Sequence, residues 1–267
     1  MKRVQINGLK RRLGLRWIMI GWVISWFTAC GTRFPKPPQF RADPARYHAQ
    51  LQERSEAIKS LSGELAVELW EDDKRVAIRQ LFASRPPHHL RIDTLTPFEQ
   101  PLATLIYNEQ LLAIHDQEQA RFAVGSANAD NFERLTRVRI KPAEMTALLS
   151  GQVPRILTQG GLVNWDPERG RAQLTLERDD ERQVISFDES KVTPRVVEMY
   201  RQGELIVRLS LAQYTRQEPY LPQRLRFEMP RRKIRVEIEL KDFTLNPDLP
   251  EVAFEIKAPP GLSVSDL

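Results

Sequence analysis

The chain has 267 residues, a formal charge of +5, 41% hydrophobic residues and 28% charged residues. That balance excludes a membrane-embedded bundle and a disordered tail, and the length suits one ordinary domain or two small ones. A single cysteine excludes an intramolecular disulfide framework and a cysteine-based zinc cluster.

The basic excess sits entirely at the start. Lys2, Arg3, Lys10, Arg11, Arg12 and Arg16 precede residue 30 with no acid among them, which leaves 34 basic against 35 acidic residues from Cys30 onward. An apolar run of 13 residues, Trp17–Ala29, follows. A helix of that length rises about 20 Å, short of the bilayer core, so residues 1–29 read as an export signal rather than a membrane span. Phe27-Thr28-Ala29-Cys30 then resembles a bacterial lipobox, with Phe27 in place of the usual leucine. The resemblance implies a lipidated Cys30, and Gly31 after it implies the outer membrane. The alternative is an uncleaved N-terminal anchor with an incidental buried cysteine. Residues 30–43 carry Pro35, Pro37 and Pro38. Such a run forms no helix and reads as an extended stalk.

The folded domain is expected over 44–267. Residues 44–61 read as a helix, with Asp43 as N-cap, Pro44 at the first position, an apolar stripe of Leu51, Ile58 and Leu61, and Gly63 to end it. The period then changes to two. Leu65, Val67 and Leu69 open a strand, Asp72-Asp73-Lys74 turns, and Val76, Ile78 and Phe82 continue on the next. Strands at 89–94, 102–107, 111–115 and 121–124 complete a meander. Asn128–Leu135 and Pro142–Leu149 read as two short helices. Strands resume near 162–166, 172–178, 183–188, 195–200, 204–214, 223–229 and 234–243. In Ile234–Leu240 apolar and charged residues alternate strictly, as in an antiparallel sheet with one wet face. The fold expected is mainly β: a curved antiparallel sheet or incomplete barrel of about 11–13 strands, its apolar concave face covered by the three helices.

No catalytic or metal motif stands out. His48, His88, His89 and His115 fall in no chelating spacing, and no nucleophile elbow or phosphate-binding glycine loop is present. The reading is therefore of a non-enzyme with no cofactor and no metal. Arg231-Arg232-Lys233-Ile234-Arg235 is either a hairpin turn with the wet face of a strand or a contact for anionic lipid head groups. A nucleic-acid partner does not suit an exported domain of net charge −1.

The order of elements resembles the LolA/LolB lipoprotein-carrier superfamily, and more closely the LolB-like outer-membrane lipoproteins of Gram-negative bacteria. Leu61-Ser62-Gly63, Leu90-Arg91-Ile92-Asp93, Pro97-Phe98, Leu148-Leu149 with Gly151 and Pro154, Leu221-Pro222, and Asn246, Leu249, Phe254 and Pro260-Gly261 carry it. The resemblance spans nearly all of 44–267. It implies a hydrophobic cavity for acyl chains of lipoproteins or lipids, a periplasm-facing monomer, and a membrane-touching loop residue that falls on Phe98. The other reading of Phe98 is a side chain folded back over the core. A second function class, a tethered accessory lipoprotein with an envelope protein partner and no lipid cargo, remains beside the carrier reading.

Overall fold

The computed structural model describes residues 33–156, 158 and 160–267. The expected signal segment, Cys30 and Gly31 lie outside the described residues. Helix α1 (Pro44–Ala57) starts where expected: the Asp43 carboxylate accepts the Ala45 N–H at 3.0 Å, and Pro44 takes the first position. It ends four residues earlier than the 44–61 reading. At Ile58 the backbone turns extended, at φ −114° and ψ 106°. Asn246 fastens this exit, accepting the Lys59 N–H at 2.7 Å and donating to the Ala57 carbonyl at 3.2 Å. Ile58 and Leu61 are both buried, so their spacing imitates a helical stripe although the chain has left the helix.

Strands β1 (Leu61–Glu71), β2 (Lys74–Arg85), β3 (His89–Leu95), β4 (Pro101–Asn108), β5 (Leu111–Asp116) and β6 (Arg121–Ser126) form the first meander. Helices α2 (Ala129–Thr136) and α3 (Pro142–Leu149) follow. The second meander is β7 (Leu162–Asp166), β8 (Arg171–Arg178), β9 (Glu181–Asp188), β10 (Thr193–Arg201), β11 (Glu204–Tyr214), β12 (Pro222–Met229) and β13 (Ile234–Leu245). Gly63 does not end the helix; it lies in β1 at a bulge. A Cβ there would come within 2.8 Å of the Phe243 backbone, so the close approach of β13 requires glycine.

All these strands belong to one sheet, ordered β6-β5-β4-β3-β2-β1-β13-β12-β11-β10-β9-β8-β7. β1 and β13 join the two meanders at the centre. The count exceeds the expected 11–13 because a fourteenth strand, β14 (Val264–Asp266), adds to β6 in parallel. Three residues are too few to show a period. β7 and β14 are the two free edges and do not pair with each other, so the curved sheet is an incomplete barrel.

Register places the apolar set on the concave face. Leu65, Val67 and Leu69 of β1 face Leu240, Ile238 and Val236 of β13, which continue to Leu225 and Phe227 of β12. The helices close over this face: Tyr47 and Leu51 of α1, Phe132 of α2, and Met145, Leu148 and Leu149 of α3 are buried in the same core. The convex face of the central strands is wet and charged, with Arg226 on Glu237 at 2.7 Å and Lys241 on Glu239 at 2.8 Å. Beyond β3 the pattern departs from one wet face. Ile106 and Phe122 point outward yet are buried, and the C-terminal segment supplies Phe254 to the outer side of β3 and β4.

The proline-rich segment also departs from expectation. It is not a free stalk. The Phe34 N–H donates to the Pro167 carbonyl at 2.7 Å, and the Trp165 indole N–H donates to the Phe34 carbonyl at 3.1 Å. Phe40 is buried with its ring edge-on to Trp165, the centroids 5.8 Å apart. Aromatic anchors thus dock residues 34–40 along β7, the free edge of the second meander.

Candidate functional site: an apolar trough with an open end

The antiparallel order gives the sheet two rims. The lower rim carries α1's exit and the β2–β3 and β7–β8 turns; the upper rim carries the β1–β2, β3–β4 and β12–β13 connections. Toward the lower rim the trough is filled by its own side chains. Leu61, Leu65 and Phe187 are all under 2% exposed. Tyr47 closes this end, its ring tilted against Phe187 with centroids 4.9 Å apart and its hydroxyl donating to Glu189 at 2.7 Å. Burial and that acidic partner push the Tyr47 phenol pKa well above its ordinary value.

Toward the upper rim the filling continues on the β12–β13 side, where Phe227, Val236 and Ile238 are buried, and thins on the β2 side. β3 pairs with β2 only from Arg79 onward, so Lys74–Ile78 overhang the first meander with β1 as their sole strand neighbour. On the concave side of this overhang lie Val67 with Ile78, and Leu69 with Val76, as cross-strand pairs. Val67, Leu69 and Ile78 are half-buried, and Val76 is 50% exposed. Val67 and Leu69 pack against the buried core, and Val76 at the margin of the overhang is the most exposed of the four. The alternation in the sequence marked them as core, because a period of two reports which face a residue takes and not whether that face is covered.

Phe98 stands on the same rim, at the tip of the β3–β4 loop, and is 87% exposed. The loop is closed by the Thr96 N–H to the Gln100 carbonyl at 2.8 Å, with Glu99 in the left-handed region at φ 62°. Arg79 braces it, reaching Glu99 at 2.8 Å and Glu64 at 2.7 Å. The hydrogen bond from Arg79 holds the Glu64 carboxyl below the usual carboxylate range. Phe98 therefore projects from an anchored turn and does not fold back on the core.

Arg231–Arg235 form the β12–β13 hairpin: a single 3₁₀ turn at Pro230–Arg232, Lys233 at φ 53°, and Ile234 turned inward. Arg231 pairs with Glu204, Arg232 with Glu133, and Arg235 covers the Trp70 ring at 4.0 Å. The histidines are dispersed, with His89 against Phe254 and His48 at the Gly160 carbonyl. Among the described residues no group of three or more His, Cys, Asp and Glu could hold a metal ion.

No protein-family model matches the sequence, and no curated protein matches it significantly. Solved structures do match. A DUF1329 family protein from Desulfovibrio piger superposes with a TM-score of 0.59 at 12% identity, over 79% of this chain and 95% of that one. A domain from Vibrio parahaemolyticus assigned to outer membrane lipoprotein sorting gives 0.57 at 12% identity, over 78% and 94%. A LolA superfamily protein from Nitrosomonas europaea gives 0.52 at 14% identity, over 78% and 97%. The chain has a LolA/LolB-like fold. At these identities the likeness shows architecture alone.

Proposed function

We propose that the protein is an envelope lipoprotein, lipidated on Cys30 and held at the outer membrane, whose trough takes up acyl chains of lipids or lipoproteins. The observation that carries this reading is the part-exposed concave strip of Val67, Leu69, Val76 and Ile78, which continues directly into the buried core. An apolar concave surface in water is a site for an apolar ligand. Each enclosed methylene is worth about 0.8 kcal/mol, so a few turns of acyl chain suffice for useful affinity without any catalytic group. The role is binding and transfer, not catalysis. Phe98 on the same rim is the membrane-touching residue, and Phe98→Glu weakens binding of the chain to lipid vesicles.

A photoactivatable fatty acid added to membranes carrying the full chain tests the site. Crosslinks are expected on peptides containing Val67–Ile78. Val76→Asp is expected to remove them at nearly unchanged stability, since substitution at a half-exposed position costs only about 0.5 kcal/mol. Crosslinks absent from this stretch would leave the tethered accessory role, without lipid cargo, as the better account.

A further inference from the structure

At the upper rim a cleft of about 350 Å³ lies between α2 and the upper ends of β1 and β13. Four arginines line it: Arg134 on α2, Arg137 and Arg139 just beyond it, and Arg232 from the β12–β13 turn. Three carboxylates share the lining, Glu71, Asp130 and Glu133, so the wall is cationic by one charge. The pairing is uneven. Arg139 reaches Asp130 at 2.5 Å and Glu133 at 2.9 Å, and Arg232 also pairs with Glu133. Glu133 and Asp130 are thereby engaged by two arginines. Arg134 and Arg137 make no ion pair or side-chain hydrogen bond among the described residues, and both are exposed.

The floor of the cleft decides what it suits. Glu71 and Ile234 face each other across β1 and β13 on the concave side, and the next inward pairs are Leu69 with Val236 and Val67 with Ile238. Val236 and Ile238 are buried, so the way inward is over the part-exposed Leu69 and Val67; two guanidinium groups and the Glu71 carboxylate stand at this rim without an ion-pair partner among the described residues. Guanidinium matches phosphate oxygens in a forked, charge-assisted geometry. We propose that this cleft is the head-group site for a phosphate-bearing lipid, with Arg134 and Arg137 on the phosphate and the acyl chain running inward past Leu69 and Val67. The proposal rests on the acyl-binding reading and adds its polar half: cargo is selected by a phosphate at the mouth as well as by its chains.

Native mass spectrometry of the full chain, released from nonionic micelles containing phosphatidylglycerol and diacylglycerol with identical chains, separates the two readings. Wild type is expected to keep phosphatidylglycerol about tenfold over diacylglycerol, the scale of one charge-assisted contact. The Arg134→Gln/Arg137→Gln variant is expected to keep both equally, with its thermal midpoint unchanged because both side chains are exposed. The corresponding double lysine variant is expected to recover part of the preference. Equal retention by wild type, or a preference unaltered in the double glutamine variant, overturns the head-group site and leaves acyl binding standing. Retention of neither lipid overturns acyl binding and this proposal together. A phosphate-mass adduct formed from inorganic phosphate alone, lost in the variant and unaccompanied by lipid, would show a free-anion site and also overturn it.

Discussion

His89 shows how one side chain on the convex face ties stability to pH. It sits at 5.2 Å from the Phe254 ring, which Arg85 covers from 4.8 Å while pairing with Glu251 at 2.6 Å. Burial, then the neighbouring Arg85 cation, hold the His89 pKa below its ordinary value near 6.5. The unfolded chain therefore binds this proton more readily than the folded one. The contribution is fully present above the unfolded pKa and is lost as pH falls through the folded one. The urea midpoint of wild type should drop between about pH 7.5 and about pH 5.5, and His89→Gln should flatten that drop. Equal slopes for the two would remove His89 from the account. Glu64 and Asp188, whose carboxyls are also depressed, act at lower pH and do not blur this window.

At the scale of elements, what could be read from the chain depended on whether a pattern was repeated. Ile234–Leu240 alternate strictly, and their strand and its inward face follow at once. Both short helices were legible, α3 to the residue, since Pro142 starts it and an apolar run fills it. The end of α1 was not, because buried Ile58 and Leu61 keep the helical spacing after Asn246 has turned the chain aside. The docked segment was hidden for a related reason. Prolines announce an extended path, and only tertiary structure says what Phe34 and Phe40 lie against. Val76 looked like any core valine until register showed β3 ending at Leu95, opposite Arg79, too early to flank it. The Arg134–Arg137 pair gave no motif at all, being brought to Arg232 by the fold. The docked segment yields its own prediction. Gly170 is at φ 63°, and a Cβ there would come within 2.7 Å of the Phe34 ring. Gly170→Val should undock the segment and speed tryptic cleavage after Arg33, by about tenfold for each 1.4 kcal/mol of docking lost. An unchanged rate would mean that the contact with β7 contributes nothing.

For the whole molecule, the proposed function gives the two rims separate tasks. Residues 34–40 bring the N-terminal end of the domain to the β7–β8 turn on the lower rim. From Cys30 to Phe34 the chain spans at most about 14 Å, so the proposed lipid on Cys30 would keep that rim near the bilayer. The trough mouth, the arginine cleft and Phe98 all open on the upper rim, where cargo can enter without crossing the anchor. A domain held this way brings Phe98 to the same bilayer when its strands lie along the surface. The fold supplies this division through one continuous sheet, packed tight at one end by Tyr47 and Phe187 and part-exposed at the other along the overhang of β2.

The central claim is that this part-exposed end holds acyl chains, and the lipid bound to the purified full chain measures it most directly. After purification in nonionic detergent, mass spectrometry of extracted lipids should find acyl-bearing lipid at about one molecule per wild-type chain and little on Val76→Asp. Wild-type protein free of lipid, or the same lipid content on Val76→Asp, would contradict it.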